Sequence, residues 1–184
     1  MMTTQDLYQQ AMKFAGEKHS EQLVPGSNAN YLLHIANVSM EILLAHRHTP
    51  DFDLDFAMQT AILHDTLEDT ETSFDEIADT FGPKIAEAVL ALTKDPAIPS
   101  KKERMMDSLR RINEREKEVG IVKLADRITN LQEPPDTWKM EKVRAYLEEA
   151  AFIAEALKNK HGYLSDRLAL KIREYEKHTF GTHD

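Results

Sequence analysis

The 184-residue chain contains no cysteine. Disulfides and thiolate chemistry are therefore excluded, and any metal must be held by histidine and carboxylates. Positive charge is also short. Lys and Arg number 23 against 32 Asp and Glu, for a formal net charge of −9 and a pI near 5.4. That balance argues against nucleic-acid binding, which favours a strongly basic surface. It leaves room for a phosphorylated small molecule, because a bound divalent cation supplies positive charge locally whatever the global sign. No uninterrupted apolar run approaches membrane-spanning length, and the opening Met1-Met2-Thr3-Thr4-Gln5-Asp6 has neither a basic nor an apolar stretch. No membrane partner is expected, and a cytoplasmic location is.

Six glycines, seven prolines and little strand-like alternation leave a pattern that is helical almost throughout. With 41% hydrophobic residues the expectation is one all-α, compact multi-helix bundle, a single domain over 1–184. Apolar spacing predicts a first helix over 4–19 with Leu7, Ala11, Phe14 and Ala15 inward, then a loop over 23–30 through Pro25-Gly26-Ser27-Asn28. A second helix over 31–46 carries Tyr31, Ile35, Val38 and Ile42, and Thr49-Pro50-Asp51 breaks it. A third, over 54–66, is apolar nearly all round and is expected at the centre. Thr72-Ser73 followed by Glu76 resembles a capping box for a short helix ending at Phe81-Gly82. Pro83 opens the next, to Leu92, and a loop over 95–99 precedes a charged helix over 100–117. Helices over 119–131, 138–159 and 164–178 complete the reading, with Pro134-Pro135 between the first two.

The chemistry concentrates in Ala61-Ile62-Leu63-His64-Asp65-Thr66-Leu67-Glu68-Asp69-Thr70. His64 and Asp65 are both metal-ligand types, and two more carboxylates follow four residues later. On a continuous helix His64/Glu68 and Asp65/Asp69 stack as neighbouring pairs. Partners are available at His34, on the margin of the second helix's apolar stripe, and at Asp126, beside Ile121, Leu124, Ala125 and Ile128. An aspartate there is costly to bury unless paired or bound to a cation. Two histidines and two aspartates make a mixed nitrogen and oxygen set that suits Mn²⁺, Fe²⁺, Co²⁺ or Zn²⁺.

Singly, each residue has an ordinary reading. His34 alone is a hydrogen-bonded structural histidine, Asp126 an N-cap or the ion-pair partner of Lys123 or Arg127, and Glu68 and Asp69 a solvated helix end. Their joint occurrence favours the metal site. The other histidines (His19, His46, His48, His161, His178, His183) read as surface residues. The run Lys101-Lys102-Glu103-Arg104 to Arg110-Arg111 reads as a solvated helix face, and Trp138 and Met140 as packing.

His34, His64-Asp65 and Asp126, in that order on a helical chain, resemble the H…HD…D signature of HD-domain metal-dependent phosphohydrolases. Leu63–Thr70, Phe81-Gly82, Leu92-Thr93 and Val122-Lys123-Leu124-Ala125-Asp126-Arg127-Ile128-Thr129-Asn130-Leu131 are similar to the guanosine tetraphosphate hydrolase domain of Rel/Spo enzymes and their small stand-alone relatives. The resemblance spans roughly residues 5–160. It implies an HD-domain bundle that removes the 3′-pyrophosphate of guanosine tetra- or pentaphosphate. It also implies Mn²⁺ held by His34, His64, Asp65 and Asp126, with Glu68 and Asp69 activating and orienting water. Asn130, Tyr146 and Lys142 would contact the nucleotide.

The chain departs from this family where a basic cluster commonly follows the first helix. Gln22-Leu23-Val24-Pro25 holds no Lys or Arg, and nearby Lys18 compensates in part. His34-Ile35 also replaces the usual His-Pro. Two further readings stand beside the first: an HD nucleotidase or pyrophosphohydrolase for another nucleotide, and a degenerate HD bundle that senses nucleotides.

Overall fold

Short polar side chains set the helix starts. Thr3 accepts from the Asp6 N–H at 3.2 Å while the Asp6 carboxylate accepts from the Thr3 N–H at 2.8 Å, a reciprocal box that opens α1 (Thr4–Lys18). Asp53, Ser73 and Ser100 each accept the N–H three residues on, opening α3 (Leu54–Leu63), α5 (Phe74–Phe81) and α7 (Lys101–Asn113). At Ser73 the expected box is one-sided, because the Glu76 carboxylate turns to Lys18 at 2.6 Å. α5 stops where Gly82 adopts φ +92°, and Pro83 opens α6 (Pro83–Leu92).

The computed structural model describes residues 2–180, so His183 lies outside the described residues. The remaining elements are α2 (Leu32–His48), α4 (Thr66–Asp69), α8 (Lys117–Asn130), α9 (Met140–Leu157), α10 (Gly162–Glu176) and a 3₁₀ turn at Lys177–Thr179. Among the described residues, extended pairing is confined to one bridge between Leu23 and Asn30. No helix among them is long and apolar enough to cross a membrane.

Two helices make the centre. α3 packs on α1, α2, α6 and α8, as its all-round apolar face predicts. α8 is equally central, with every residue from Glu118 to Thr129 buried. Its sequence shows only an apolar stripe because its charged residues look solvated. They are paired inside instead: Glu118 accepts from the Asp53 N–H at 2.8 Å, Lys123 pairs with Asp126 at 2.9 Å, and Arg127 with Glu149.

Other departures have local causes. The helix expected over 54–66 ends at Leu63, because His64 Nδ1 and the Thr66 hydroxyl take the carbonyls of Ala61 and Leu63, each at 2.7 Å. The charged helix ends at Asn113 rather than 117, and α8 begins at Lys117. His19 and His161 are buried rather than on the surface. His19 packs on the Tyr31 ring at 5.0 Å, and His161 caps α10 by accepting from the Leu164 N–H. His48 is exposed, and His46 and His178 are half-buried.

Ile62 is fully buried at the heart of α3. Ile62→Ala is expected to lower the unfolding free energy by about 2–5 kcal/mol in a urea titration. Leu43→Ala, on the exposed side of α2, should stay within about 0.5 kcal/mol.

Candidate active site

Three elements bring the chemical side chains together. His34 comes from the first turn of α2, His64 from the turn that ends α3, and Asp126 from the middle of α8. One ligand atom from each lies within 4.8 Å of the others, and all three residues are buried. His34 Nε2 is 3.4 Å from both His64 Nε2 and Asp126 Oδ1, and His64 Nε2 is 3.6 Å from the same oxygen. Asp65 Oδ2 joins them at 3.0 Å from His64 Nε2 and 3.8 Å from His34 Nε2.

Surrounding groups orient this cluster. His64 Nδ1 faces the Ala61 carbonyl, which only accepts, so Nδ1 carries a proton and Nε2 is the nitrogen presented to the centre. Asp126 Oδ2 binds Lys123 at 2.9 Å, and its Oδ1 accepts from Asn130 Nδ2 at 2.5 Å, one turn along the same face. The Tyr31 hydroxyl donates to Asp65 Oδ2. Burial and the Asp65 charge push that hydroxyl's pKa far up, so it remains a donor.

The electrostatics favour a cation. Burial works against protonated His64, but Asp65 and Asp126 outweigh it and lift its pKa to about 10. Burial alone would raise both aspartates. Lys123 and the imidazoles instead hold Asp126 well below the usual carboxylate range, and His64 does the same for Asp65. A divalent cation fits this donor set, and its binding displaces the imidazole proton.

Glu68 and Asp69 leave the α3 axis, because the helix breaks at His64-Asp65 and restarts as α4. The stacking expected on one unbroken helix survives only as the Asp69 N–H to Asp65 carbonyl bond at 2.9 Å. Their side chains diverge. Glu68 accepts from the Lys94 ammonium at 2.9 Å and from its backbone N–H at 3.0 Å, whereas Asp69 Oδ2 accepts from Gln22 Nε2 at 2.9 Å. Desolvation raises the Asp69 pKa, and the Gln22 bond opposes that rise.

A cleft of about 320 Å³ opens from His34 and Asn130. Tyr146, Trp138 and Tyr175 form its aromatic wall, and Val24-Pro25 and Pro134-Pro135 its apolar rim. Gly26 stands so close to Pro135, at φ +76°, that a Cβ there would lie 2.8 Å from the Pro135 ring. Tyr146 is held under the Arg127 guanidinium, 4.6 Å from its ring centre, and edge-on to Trp138 at 5.2 Å. Burial pushes the Tyr146 pKa up to about 12.

The structure thus gathers His34, His64, Asp65, Asp126 and Asn130, with Tyr146 in the cleft wall. It does not bring Lys18 or Lys142 there. Lys18 is taken by Glu76, and Lys142 sits 3.8 Å above the Trp138 ring, facing a second groove. Trp138, read from sequence as packing, lines the cleft as well as packing on the core. Tyr31 and Gln22 are additions. Tyr31 lies three residues before His34, one helical turn, but its aromatic ring reads as core. Gln22 meets Asp69 across 47 residues, and nothing local signals it.

An all-helical bundle that gathers two histidines and two aspartates at a point able to hold a metal ion fits the class of HD-domain metal-dependent phosphohydrolases. Residues 11–164 match the HD domain family, and the chain belongs to it. It is 30% identical over 164 residues to the zebrafish (Danio rerio) guanosine-3′,5′-bis(diphosphate) 3′-pyrophosphohydrolase MESH1, covering 86% of this chain and 88% of that protein. The Aquifex aeolicus enzyme of the same activity name is 34% identical over 127 residues, 67% of this chain and 17% of that longer protein. A solved structure described as a metazoan ortholog of SpoT that hydrolyzes ppGpp matches with a TM-score of 0.79 at 25% identity, covering 91% of this chain and 94% of the other.

Tyr31→Phe removes the donor that holds Asp65 and leaves the ring's packing. Calorimetric titration of the metal-stripped protein with Mn²⁺ should show affinity about 10–100-fold weaker. An unchanged Kd would reduce Tyr31 to a packing residue.

Proposed function

We propose that the protein hydrolyses the 3′-pyrophosphate of guanosine 3′,5′-bis(diphosphate), with Mn²⁺ at His34, His64, Asp65 and Asp126. The observation that carries this reading is the buried cluster of His34, His64 and Asp126, with half-buried Asp65 beside it, at a cleft of nucleoside scale, in a chain 30% identical to pyrophosphohydrolases along most of its length. A divalent cation held by these four residues would supply a water of lowered pKa and polarisation of a phosphoryl oxygen.

The protein's own groups do the rest. Asp69 takes the proton of the attacking water, and its raised pKa suits a base. Gln22 fixes its acceptor oxygen, and Glu68 orients the water. Lys94, kept protonated by Glu68 against the pull of burial, offers a cation to the departing phosphates. The bond between the ribose 3′ oxygen and phosphorus breaks, the water delivers its proton and hydroxide across it, and pyrophosphate leaves. Asn130 braces Asp126, and Tyr146 and Trp138 wall the nucleoside.

One observation favours a second reading. The rim segment Val24-Pro25 is apolar where a basic cluster would grip the base, which suits a different nucleotide phosphate with the same chemistry. A Mn²⁺-dependent hydrolysis screen over guanosine tetraphosphate and common nucleotides separates the two. In that screen Asp69→Asn should lower kcat by about 10²–10⁴-fold, and Asp65→Ala should abolish turnover. Full activity in the Asp65 variant would defeat the enzymatic reading. A protein that cannot be loaded with metal would favour a nucleotide sensor.

The pH profile carries a signed expectation. Activity is lost as pH falls through the Asp69 pKa, because the base must be ionised. Gln22→Leu removes a bond that lowers that pKa, so the acid limb of kcat/KM should move to higher pH. A stationary limb would take Asp69 out of the role of base.

A further inference from the structure

The segment between α1 and α2 delivers two hydrogen-bond donors to the site. The Tyr31 hydroxyl reaches Asp65, and Gln22 Nε2 reaches Asp69 Oδ2 at 2.9 Å. The backbone ties these two residues together, because the Tyr31 N–H donates to the Gln22 carbonyl at 2.9 Å. One buried side chain of this segment has no part in the chemistry described so far. His19 ends α1 and is 1% exposed, yet it lies outside both the ligand cluster and the cleft. Its Nδ1 stands 2.5 Å from Gln22 Oε1, its ring packs on Tyr31, and its Nε2 is buried with no partner.

These contacts leave one arrangement of protons. The Gln22 amide has an oxygen that accepts and an NH2 that donates, and an ionised Asp69 only accepts. The NH2 therefore faces Asp69, and the oxygen faces His19 and needs a donor there. A proton on His19 Nε2 would be buried without an acceptor, so the ring carries it on Nδ1. The hydrogen bonds then run one way, from His19 Nδ1–H to Gln22 Oε1 and from Gln22 Nε2–H to Asp69 Oδ2. A flipped amide would set its oxygen against the Asp69 carboxylate and its NH2 against the imidazole N–H. The turn beneath is held as well, with the Gln22 N–H on the His19 carbonyl at 3.0 Å and Asn30 Nδ2 on the Ser20 carbonyl at 3.0 Å.

We propose that His19 is a positioning residue for hydrolysis: by donating from Nδ1 to Gln22 it locks the glutamine amide and, through it, the rotation of the Asp69 carboxylate. This deepens the proposed function and rests on Asp69 as its base. His19 touches no substrate and transfers no proton. Its burial is what makes the lock one-sided, since a ring with one outlet for its proton cannot offer Gln22 a lone pair instead. Gln22, half-buried at the edge of the site, would otherwise be free to turn its amide either way.

Two variants of the Mn²⁺-loaded full chain separate donor from ring, each checked for fold by circular dichroism. His19→Phe keeps an aromatic ring on Tyr31 and loses the donor. His19→Asn loses the ring and keeps an amide N–H close to the place of Nδ1. With guanosine 3′,5′-bis(diphosphate) as substrate, His19→Phe should lower kcat by about tenfold, the scale of one lost hydrogen bond. KM should stay unchanged, and His19→Asn should recover most of the loss. Full activity in His19→Phe overturns the proposal, whatever the asparagine variant does. Where both variants lose activity, a double-mutant cycle decides: added to Gln22→Leu, which has no amide to lock, His19→Phe should cost nothing further. Additive losses overturn the proposal.

A second arm does not depend on turnover. Nitrogen NMR of the histidine-labelled, metal-stripped protein reads the tautomer directly, with the His19 signals assigned by their loss in His19→Phe. Nδ1 should be protonated and Nε2 not, and the Nδ1 signal should shift in Gln22→Leu. A proton on Nε2, or a signal indifferent to Gln22, rejects the lock. The same signals intact beside full activity in Asp69→Asn would reject Asp69 as the base, and with it any catalytic role for His19, while the hydrogen-bond chain stands. A wild type inactive on the guanosine compound rejects that substrate, and the tautomer then decides the His19 contact alone.

Discussion

Placing two carboxylates, Asp126 buried and Asp65 half-buried, beside two buried imidazoles is the constraint around which this fold is arranged. An isolated charge there carries a large desolvation penalty, and it is tolerated only when paired or metal-bound. Asp126 meets that condition through Lys123, Asn130 and the two histidines, and Asp65 through Tyr31 and His64. The pairing requires α2, the end of α3 and α8 to meet at one point. α8 consequently runs through the centre with its charged residues inside.

The break after Leu63 separates two tasks that sequence spacing had merged. On one continuous helix His64 and Asp65 would share a face with the acidic pair. By ending α3 at Leu63, the chain turns His64 inward and carries Glu68 and Asp69 outward on a separate turn. There they meet Lys94 and Gln22, partners that arrive from other parts of the chain. Glu68 and Asp69 are exposed there, where carboxylates can exchange protons with water, whereas His34, His64 and Asp126 are buried. The carbonyls of Ala61 and Leu63 are the local reason the division occurs, since side chains claim them where the helix would otherwise continue.

The cleft shows where reading by residue type falls short. Trp138 looks like packing, and it does pack, but its ring also separates a cation-free cleft from a lysine-lined groove. Tyr146 becomes a rigid wall because the Arg127 guanidinium lies on its face and Glu149 holds that guanidinium in place. Lys18 and Lys142, both near the site in sequence logic, are directed elsewhere by Glu76 and by Trp138. For long flexible cations, position along the chain says little about where the charge ends up.

The sequence by itself determined the helical character, most helix boundaries to within a few residues, and the candidate cluster of His34, His64 and Asp126, with Asp65 beside it, that the fold brings together. Apolar periodicity and capping are local signals, and two histidines and two aspartates set together along apolar stripes mark a site that none of them marks alone. Only the tertiary structure decided that α8 is buried on all sides, that Tyr31 and Gln22 brace Asp65 and Asp69, and that His19 and His161 lie inside. Each of these depends on contacts between segments far apart in the chain, where a side chain's partner, rather than its own polarity, sets its cost of burial.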